Sequence, residues 1–470
     1  MIPGPLKVGR RPTAPGTDFN APADLTQLPE IAKTFRRPRQ LASFVLPAKG
    51  GLKDEMVVKA AESALRMLVG LVVTGFVVRR LGIGAFGSFS YVWSIYAIAA
   101  PLASLGIDQV IVRAITADPH RTRFYVAQAI RLRLVAGLGA TAILLTWLVA
   151  AGASSEEMAT GLIASVGLLF LVSEVFMAAM QAERGSRRTG RLRLIAFAGS
   201  SVLKVAVAVV HPTPAAIALA TVSEPAFILM QTLLASNRIA KGSPVQRVGS
   251  GPRSTSASLL RDGLPYLLSA ASVSLYMRCD VVLLHRWSSA NETGRYAAVT
   301  RISEVLYFLP IAVCAAATPA LLRIFEVNPT ACLKRLRKLT MTLCAVAIAF
   351  AAVTAAGAPV LLRLAFGDEF GQAAWVLRVH ALATIPVFVG VAREVWLLAR
   401  KKGKISLVTT LSGAAINIGL NFVLIPRYGA MGAAIATAAS YTFAVFIAPL
   451  AFASGREFFG IRRLNTEVTP

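Results

Sequence analysis

Apolar residues in this chain run on for about twenty positions at a time, instead of recurring on one helical face or at alternate strand positions. Such stretches lie near residues 57–78, 88–107, 126–151, 159–181, 194–210, 214–234, 262–285, 299–322, 339–365, 372–397, 405–425 and 431–453. A helix of about 20 apolar residues spans the roughly 30 Å hydrocarbon core of a bilayer. The pattern predicts an all-α polytopic membrane protein with about twelve transmembrane helices.

The polar segments fix an orientation. Both termini and the connections after even-numbered spans hold most of the Lys and Arg, whereas the opposite connections offer only Arg79, Arg80, Arg286, Arg295 and Arg427. Basic loops stay cytoplasmic, so the expected topology is N-in/C-in. One missed or invented span would scramble this division.

Composition agrees with a membrane setting: the chain is 56% hydrophobic and 15% charged, with a mean hydropathy of +0.64. Its formal net charge of +26 does not call for nucleic acid. The basic residues flank apolar spans, where anionic headgroups of the bilayer lipids account for them. Cys279, Cys314, Cys332 and Cys344 form no CxxC, and His120, His211, His285 and His380 are scattered. No metal-binding spacing results, and neither a metal nor another cofactor is expected. The first apolar stretch begins near residue 56 behind a proline-rich polar leader, which does not read as a cleavable signal peptide.

Two segments echo each other at an offset of 207 residues. Leu81–Tyr91 and Ser288–Ala298 both carry a glycine-rich connection after an apolar span, pairing Gly87 with Gly294 and Phe89 with Tyr296. Ala215–Thr221 likewise resembles Ala433–Ala439. Two six-helix halves with the same orientation follow, an arrangement that places a substrate cavity between them. The expected organisation is a disordered basic cytoplasmic tail (1–55), an N-terminal half (56–236), a flexible cytoplasmic linker (237–260), a C-terminal half (261–453) and a cytoplasmic tail (454–470).

Ionisable residues inside spans cost about 2.5–3.5 kcal/mol each on insertion scales, so they face a cavity or a partner. Arg66, Lys204, Arg278 and Arg301 are the candidate substrate-binding cations, and Glu62, Glu174, Glu224, Asp280 and Glu304 the candidate ion-coupling carboxylates. Each also has a structural reading: Glu62 and Arg66 as a packing pair, and Arg278 with Asp280 or Arg301 with Glu304 as mutually neutralising neighbours. The set is net basic, which suits an anion such as a phosphate, because a guanidinium meets phosphate with two parallel hydrogen bonds. There is no GxSxG, HExxH or Walker loop, so an enzyme is not expected, and transport would draw on an ion gradient.

Four stretches carry a family resemblance. They are Arg80–Ser90 with Gly106–Arg113; Asp280 with Gly294–Tyr296, Arg301–Glu304 and Pro319–Arg323; Phe366–Leu377; and Asn417–Thr437 with its Asn-x-x-x-Asn, Ile-Pro and glycine-rich turn. In this order and spacing the chain resembles the Wzx-type polysaccharide-biosynthesis flippases of the multidrug/oligosaccharidyl-lipid/polysaccharide (MOP) exporter superfamily. The long leader departs from that pattern. The resemblance implies a multi-pass protein of the bacterial cytoplasmic (inner) membrane. It would flip undecaprenyl-diphosphate-linked oligosaccharide to the periplasmic leaflet for O-antigen or exopolysaccharide synthesis. It implies alternating access driven by H+ or Na+ as coupling ion, with the polysaccharide polymerase and chain-length machinery as candidate partners. The alternatives are a MATE-like drug or cation antiporter, which favours an acidic cavity, and a membrane glycan polymerase or ligase, which carries a large periplasmic loop.

Overall fold

The computed structural model describes residues 52–184, 186–240 and 256–461, with the side chains of 65–182, 188–234 and 256–461. No strand occurs among them. Eight helices precede the linker: α1 (Leu52–Leu81), α2 (Ile83–Ser104), α3 (Asp108–Ala117), α4 (Thr122–Ala150), α5 (Ser155–Phe170), α6 (Ser173–Arg184), α7 (Ser186–Val210) and α8 (Pro214–Ala240). Seven follow it: α9 (Ser256–Trp287), α10 (Ala290–Val327), α11 (Pro329–Phe366), α12 (Ala374–Ala381), α13 (Thr384–Ala399), α14 (Gly403–Thr442) and α15 (Ala453–Phe459). The expected tail over 1–55 lies outside the described residues except for its last positions, which begin α1. Most of the linker and the chain end also lie outside them, while residues 454–459, expected as tail, belong to α15.

Among the described residues, ten helical stretches are long and apolar enough to cross a membrane, and the last, Gly403–Ala451, runs for 49 residues. At about 1.5 Å per residue that is more than twice the hydrocarbon thickness. The chain breaks at Gly429, with φ +53° and ψ −131°, and turns back on itself. A Cβ on Gly432 would stand 2.4 Å from the Leu424 carbonyl oxygen, and Asn417 Nδ2 donates to Ser440 Oγ at 3.2 Å. This stretch therefore makes two crossings. With α1 added, the expected twelve spans are all helical. Large apolar side chains such as Val72, Leu138, Val360 and Leu364 point outward, as lipid contact requires.

Some expected connections are helical instead. Only Gly82 (φ +81°) separates α1 from α2, and the glycine-rich segment after it lies inside α2. The segment expected as a loop near 108–125 holds α3, whose Val110, Ile111 and Ile115 bury one face at helical spacing.

The glycines serve close approach between helices. A Cβ on Gly87 would lie 1.8 Å from the Ala290 carbonyl oxygen, and one on Gly294 would lie 2.1 Å from that of Ile83. A shift of 207 residues converts one contact into the other, as at a two-fold axis where each partner offers the same patch. Around this crossing a single buried cluster joins Val77, Phe86, Ile217, Val281, Tyr296, Leu362 and Ala433. Nearby, His285 Nε2 pairs with Glu157 Oε1 at 2.8 Å, joining α9 to α5.

Gly87→Ala and Gly294→Ala should each lose about 1–3 kcal/mol through overpacking against backbone. Gly139→Ala, with nothing within 4 Å of the added carbon, should be neutral. Thermal unfolding of purified protein followed by size-exclusion chromatography compares the three.

Candidate functional site

Past the crossing lies a small cleft lined by Ser90, Trp93 and Ser94 of α2, Arg278 and Val281 of α9, and Ala297, Thr300 and Arg301 of α10. The same 207-residue offset relates Ser90 to Ala297, Trp93 to Thr300 and Ser94 to Arg301, so equivalent faces of two equivalent helices form the walls. Charge breaks the symmetry: Arg278, Arg301 and Glu304 correspond to Leu71, Ser94 and Ala97. Ser94 and Arg301 each lie about 16 Å along their helices from the first residue, close to the middle of a bilayer about 30 Å thick.

Each cleft cation has a definite neighbourhood. Arg278 Nη1 lies 3.1 Å from Glu304 Oε1, and its Nη2 donates to Glu304 Oε2 at 3.5 Å. Arg301 lies 3.8 Å from the same Oε2. Arg66 donates to Glu224 Oε1 of α8 at 2.7 Å and stands over the Phe197 ring, 5.1 Å from its centroid. Lys204 of α7 lies within electrostatic reach of Glu224, Arg301 and Arg66 and forms no ion pair within 4.0 Å. The four expected cations thus gather around one region, with Glu224 and Glu304 among them.

One neighbour pairing holds, since Arg301 approaches Glu304, while other charges pair across the sequence. Arg66 takes Glu224, 158 residues away, while the side chain of Glu62 lies outside the described residues. Arg278 turns to Glu304, and Asp280 turns away from the cleft. Buried Asp280 accepts from the Val281 amide at 2.8 Å and from the Tyr296 hydroxyl, which contacts Thr437 Oγ1 at 3.1 Å. Beside it Cys279 Sγ donates to Asn417 Oδ1 at 3.3 Å, and Asn421 Nδ2 donates to the same oxygen at 3.0 Å. Asn421 Oδ1 is buried with no partner. Glu174 pairs with Arg193 of α7 and does not line the cleft.

Sequence reasoning missed Ser90, Trp93, Ser94 and Thr300, which carry no charge to mark them. Asn417 and Asn421 were visible as a motif, but only the α14 reversal brings Thr437 and Ser440 beside them. Other intramembrane arginines are structural. Arg133 is buried, donating to Leu171 O at 2.7 Å and pairing with Asp108, and Arg393 donates to Ala444 O at 2.8 Å.

A family model described as "Polysaccharide biosynthesis protein" matches residues 57–325, more than half of the chain. The chain belongs to the polysaccharide biosynthesis protein family. Among solved structures it is similar to an inward-facing multidrug resistance MATE family transporter of the MOP superfamily, at 19% identity, TM-score 0.66, covering 84% of this chain and 95% of that one. It is also similar to the lipid II flippase MurJ in an inward closed conformation, at 13% identity, TM-score 0.65, covering 84% and 87%. A third is a MOP superfamily transporter from Pyrococcus furiosus, described as having a binding pocket of reversed polarity, at 17% identity, TM-score 0.58, covering 88% and 98%. These likenesses establish a MOP-type fold. No curated protein matches by sequence.

For this polysaccharide biosynthesis family member, two classes of arginine should separate on mutation. Arg133→Ala should destabilise the protein by roughly 1–3 kcal/mol, the worth of hydrogen bonds to a charged group, and lower its amount in the membrane. Arg278→Ala and Arg301→Ala should leave that amount normal while abolishing polysaccharide export. Immunoblots of membranes alongside surface-glycan staining read both.

Proposed function

We propose that this protein flips an undecaprenyl-diphosphate-linked oligosaccharide from the cytoplasmic to the periplasmic leaflet of the bacterial inner membrane, supplying surface polysaccharide synthesis. The observation that carries this is the excess of positive charge in the cleft region. Among the described side chains, Arg66 pairs with Glu224, Arg278 and Arg301 share Glu304, and Lys204 has no ion pair, a surplus suited to a diphosphate. A diphosphate-sugar headgroup cannot cross hydrocarbon unpaired. Its lipid tail stays in the bilayer while the head passes between the two sets of spans. Family membership supports the polysaccharide assignment, and the polymerase and chain-length machinery would receive the product.

Topology enters as part of this reading. Cytoplasmic termini, taken from the basic loops, put the α2–α10 crossing toward the periplasm and the cleft near the midplane. Alternating access then consists of the two six-helix halves moving about that crossing. A cation antiporter calls for the opposite polarity at this cleft. A glycan polymerase or ligase calls for a large periplasmic loop, whereas the connections on that side, such as Gly82, residues 151–154, residues 211–213 and Ser288–Ser289, are short.

Among the carboxylates assigned to ion coupling, Asp280 is best placed. A fully buried carboxylate requires a proton or a cation. The oxygens of Asp280, Asn417, Asn421 and Thr437 lie in one polar cluster, and the unpartnered Asn421 Oδ1 leaves acceptor capacity unused there. Na+ held by these oxygens, or H+ on Asp280, would neutralise it.

Deleting the gene should remove surface polysaccharide and leave a complete undecaprenyl-linked repeat unit on the cytoplasmic side, as read by leaflet-resolved lipid extraction. Repeat units that reach the periplasm unlengthened would indicate a polymerase. Normal glycans with altered sensitivity to cationic drugs would indicate an antiporter.

In proteoliposomes the flipping rate should depend on a Na+ gradient at fixed pH, or on a pH gradient at fixed Na+. Asp280→Asn should erase whichever dependence the native protein shows. Unchanged coupling in that variant would move the ion site elsewhere.

A further inference from the structure

We infer that Glu304 is an internal counter-ion that occupies the cleft arginines when no substrate is bound and yields them to the substrate's anionic group. This rests on the flippase reading above. The geometry is that of substitution. Glu304 meets two different guanidinium nitrogens of Arg278 with its two oxygens, at 3.1 and 3.5 Å. That fork-to-fork arrangement is the one in which arginine binds a pair of phosphate oxygens. Arg301, three residues earlier on α10, approaches the same carboxylate at 3.8 Å.

Both arginines line the cleft, whereas Glu304 does not. Its side chain is 17% exposed and reaches the arginines from behind the wall. An anion entering from the cleft therefore approaches guanidinium edges already engaged by Glu304, and the two anions compete. The positions equivalent to Arg278, Arg301 and Glu304 are Leu71, Ser94 and Ala97, so the charged trio is present as a set in one half and absent as a set from the other. Arginines without the glutamate do not occur in either half.

Two consequences follow for a transport cycle. Because Glu304 competes for the same guanidinium nitrogens and stays on α10 when displaced, the substrate is bound less tightly than by free arginines and can leave. After release, Glu304 re-engages Arg278 and Arg301, so the empty cleft is not left with two uncompensated cations at the membrane midplane, a costly state. Glu304 is thus a positioning residue for the arginines and a brake on affinity.

The test uses the full-length protein in nanodiscs of zwitterionic lipid, with undecaprenyl diphosphate as the probe and intrinsic tryptophan fluorescence as the readout. Glu304→Gln should bind the probe about tenfold more tightly, the order expected when one charge-assisted contact no longer competes, while net export in cells falls. Glu304→Asp, whose shorter side chain keeps the charge but reaches the arginines less well, should lie between the two. It supplies the measurement should the glutamine variant not fold. Native protein that binds the probe, with either variant binding no more tightly, overturns the counter-ion role while leaving the flippase reading intact. Failure of the native protein to bind the probe at all overturns both.

Discussion

An ionised side chain in the middle of a bilayer has to be matched by another charge, and most of this architecture can be understood from that requirement. The protein gathers four cations within its apolar spans and, among the described side chains, answers three of them with two carboxylates, Glu224 and Glu304, drawn from different helices. Elsewhere arginines take backbone as well. Arg133 and Arg393 hold carbonyls of neighbouring helices together with the carboxylates of Asp108 and Glu394, and Arg79 takes carbonyls at the end of α11. An arginine fixed by carbonyl and carboxylate together serves as a rivet.

The membrane architecture was legible in the sequence because hydrocarbon thickness imposes one length on every span. All twelve expected crossings are helical. What the apolar pattern blurred were features that do not depend on hydropathy. Gly82 alone makes the first turn, the glycines after it lie within α2, and α3 occupies a segment that looked like loop. Glycine is ambiguous by nature, since the same residue permits a turn and permits two backbones to touch. Only the position of the facing helix, Ala290 to Gly294, decides between them.

The site was half legible. Charge inside an apolar span is conspicuous, so Arg66, Lys204, Arg278 and Arg301 could be singled out, and the fold gathers them. Partners distant in sequence could not be read, because ion pairs such as Arg66–Glu224 join residues 158 positions apart. Neighbour reasoning offers Glu304 for Arg301, which stands, and Asp280 for Arg278, which takes Glu304 instead. Uncharged wall residues such as Ser90 and Trp93 carry no mark in a single sequence. The internal offset of 207 residues did contain them, for it maps one wall of the cleft onto the other.

The glycine crossing of α2 and α10 has one further property. Contacts between side chains interlock, and to rotate one helix against another they must leave their grooves and find new ones. Here the closest approach is carbonyl against glycine on both sides of a local two-fold axis. It has no side-chain register to unlock, so small rotations about it change little in the contact itself. In the alternating access proposed above, a bearing made of bare backbone would let two halves of nearly equal build swing while their faces remain touching.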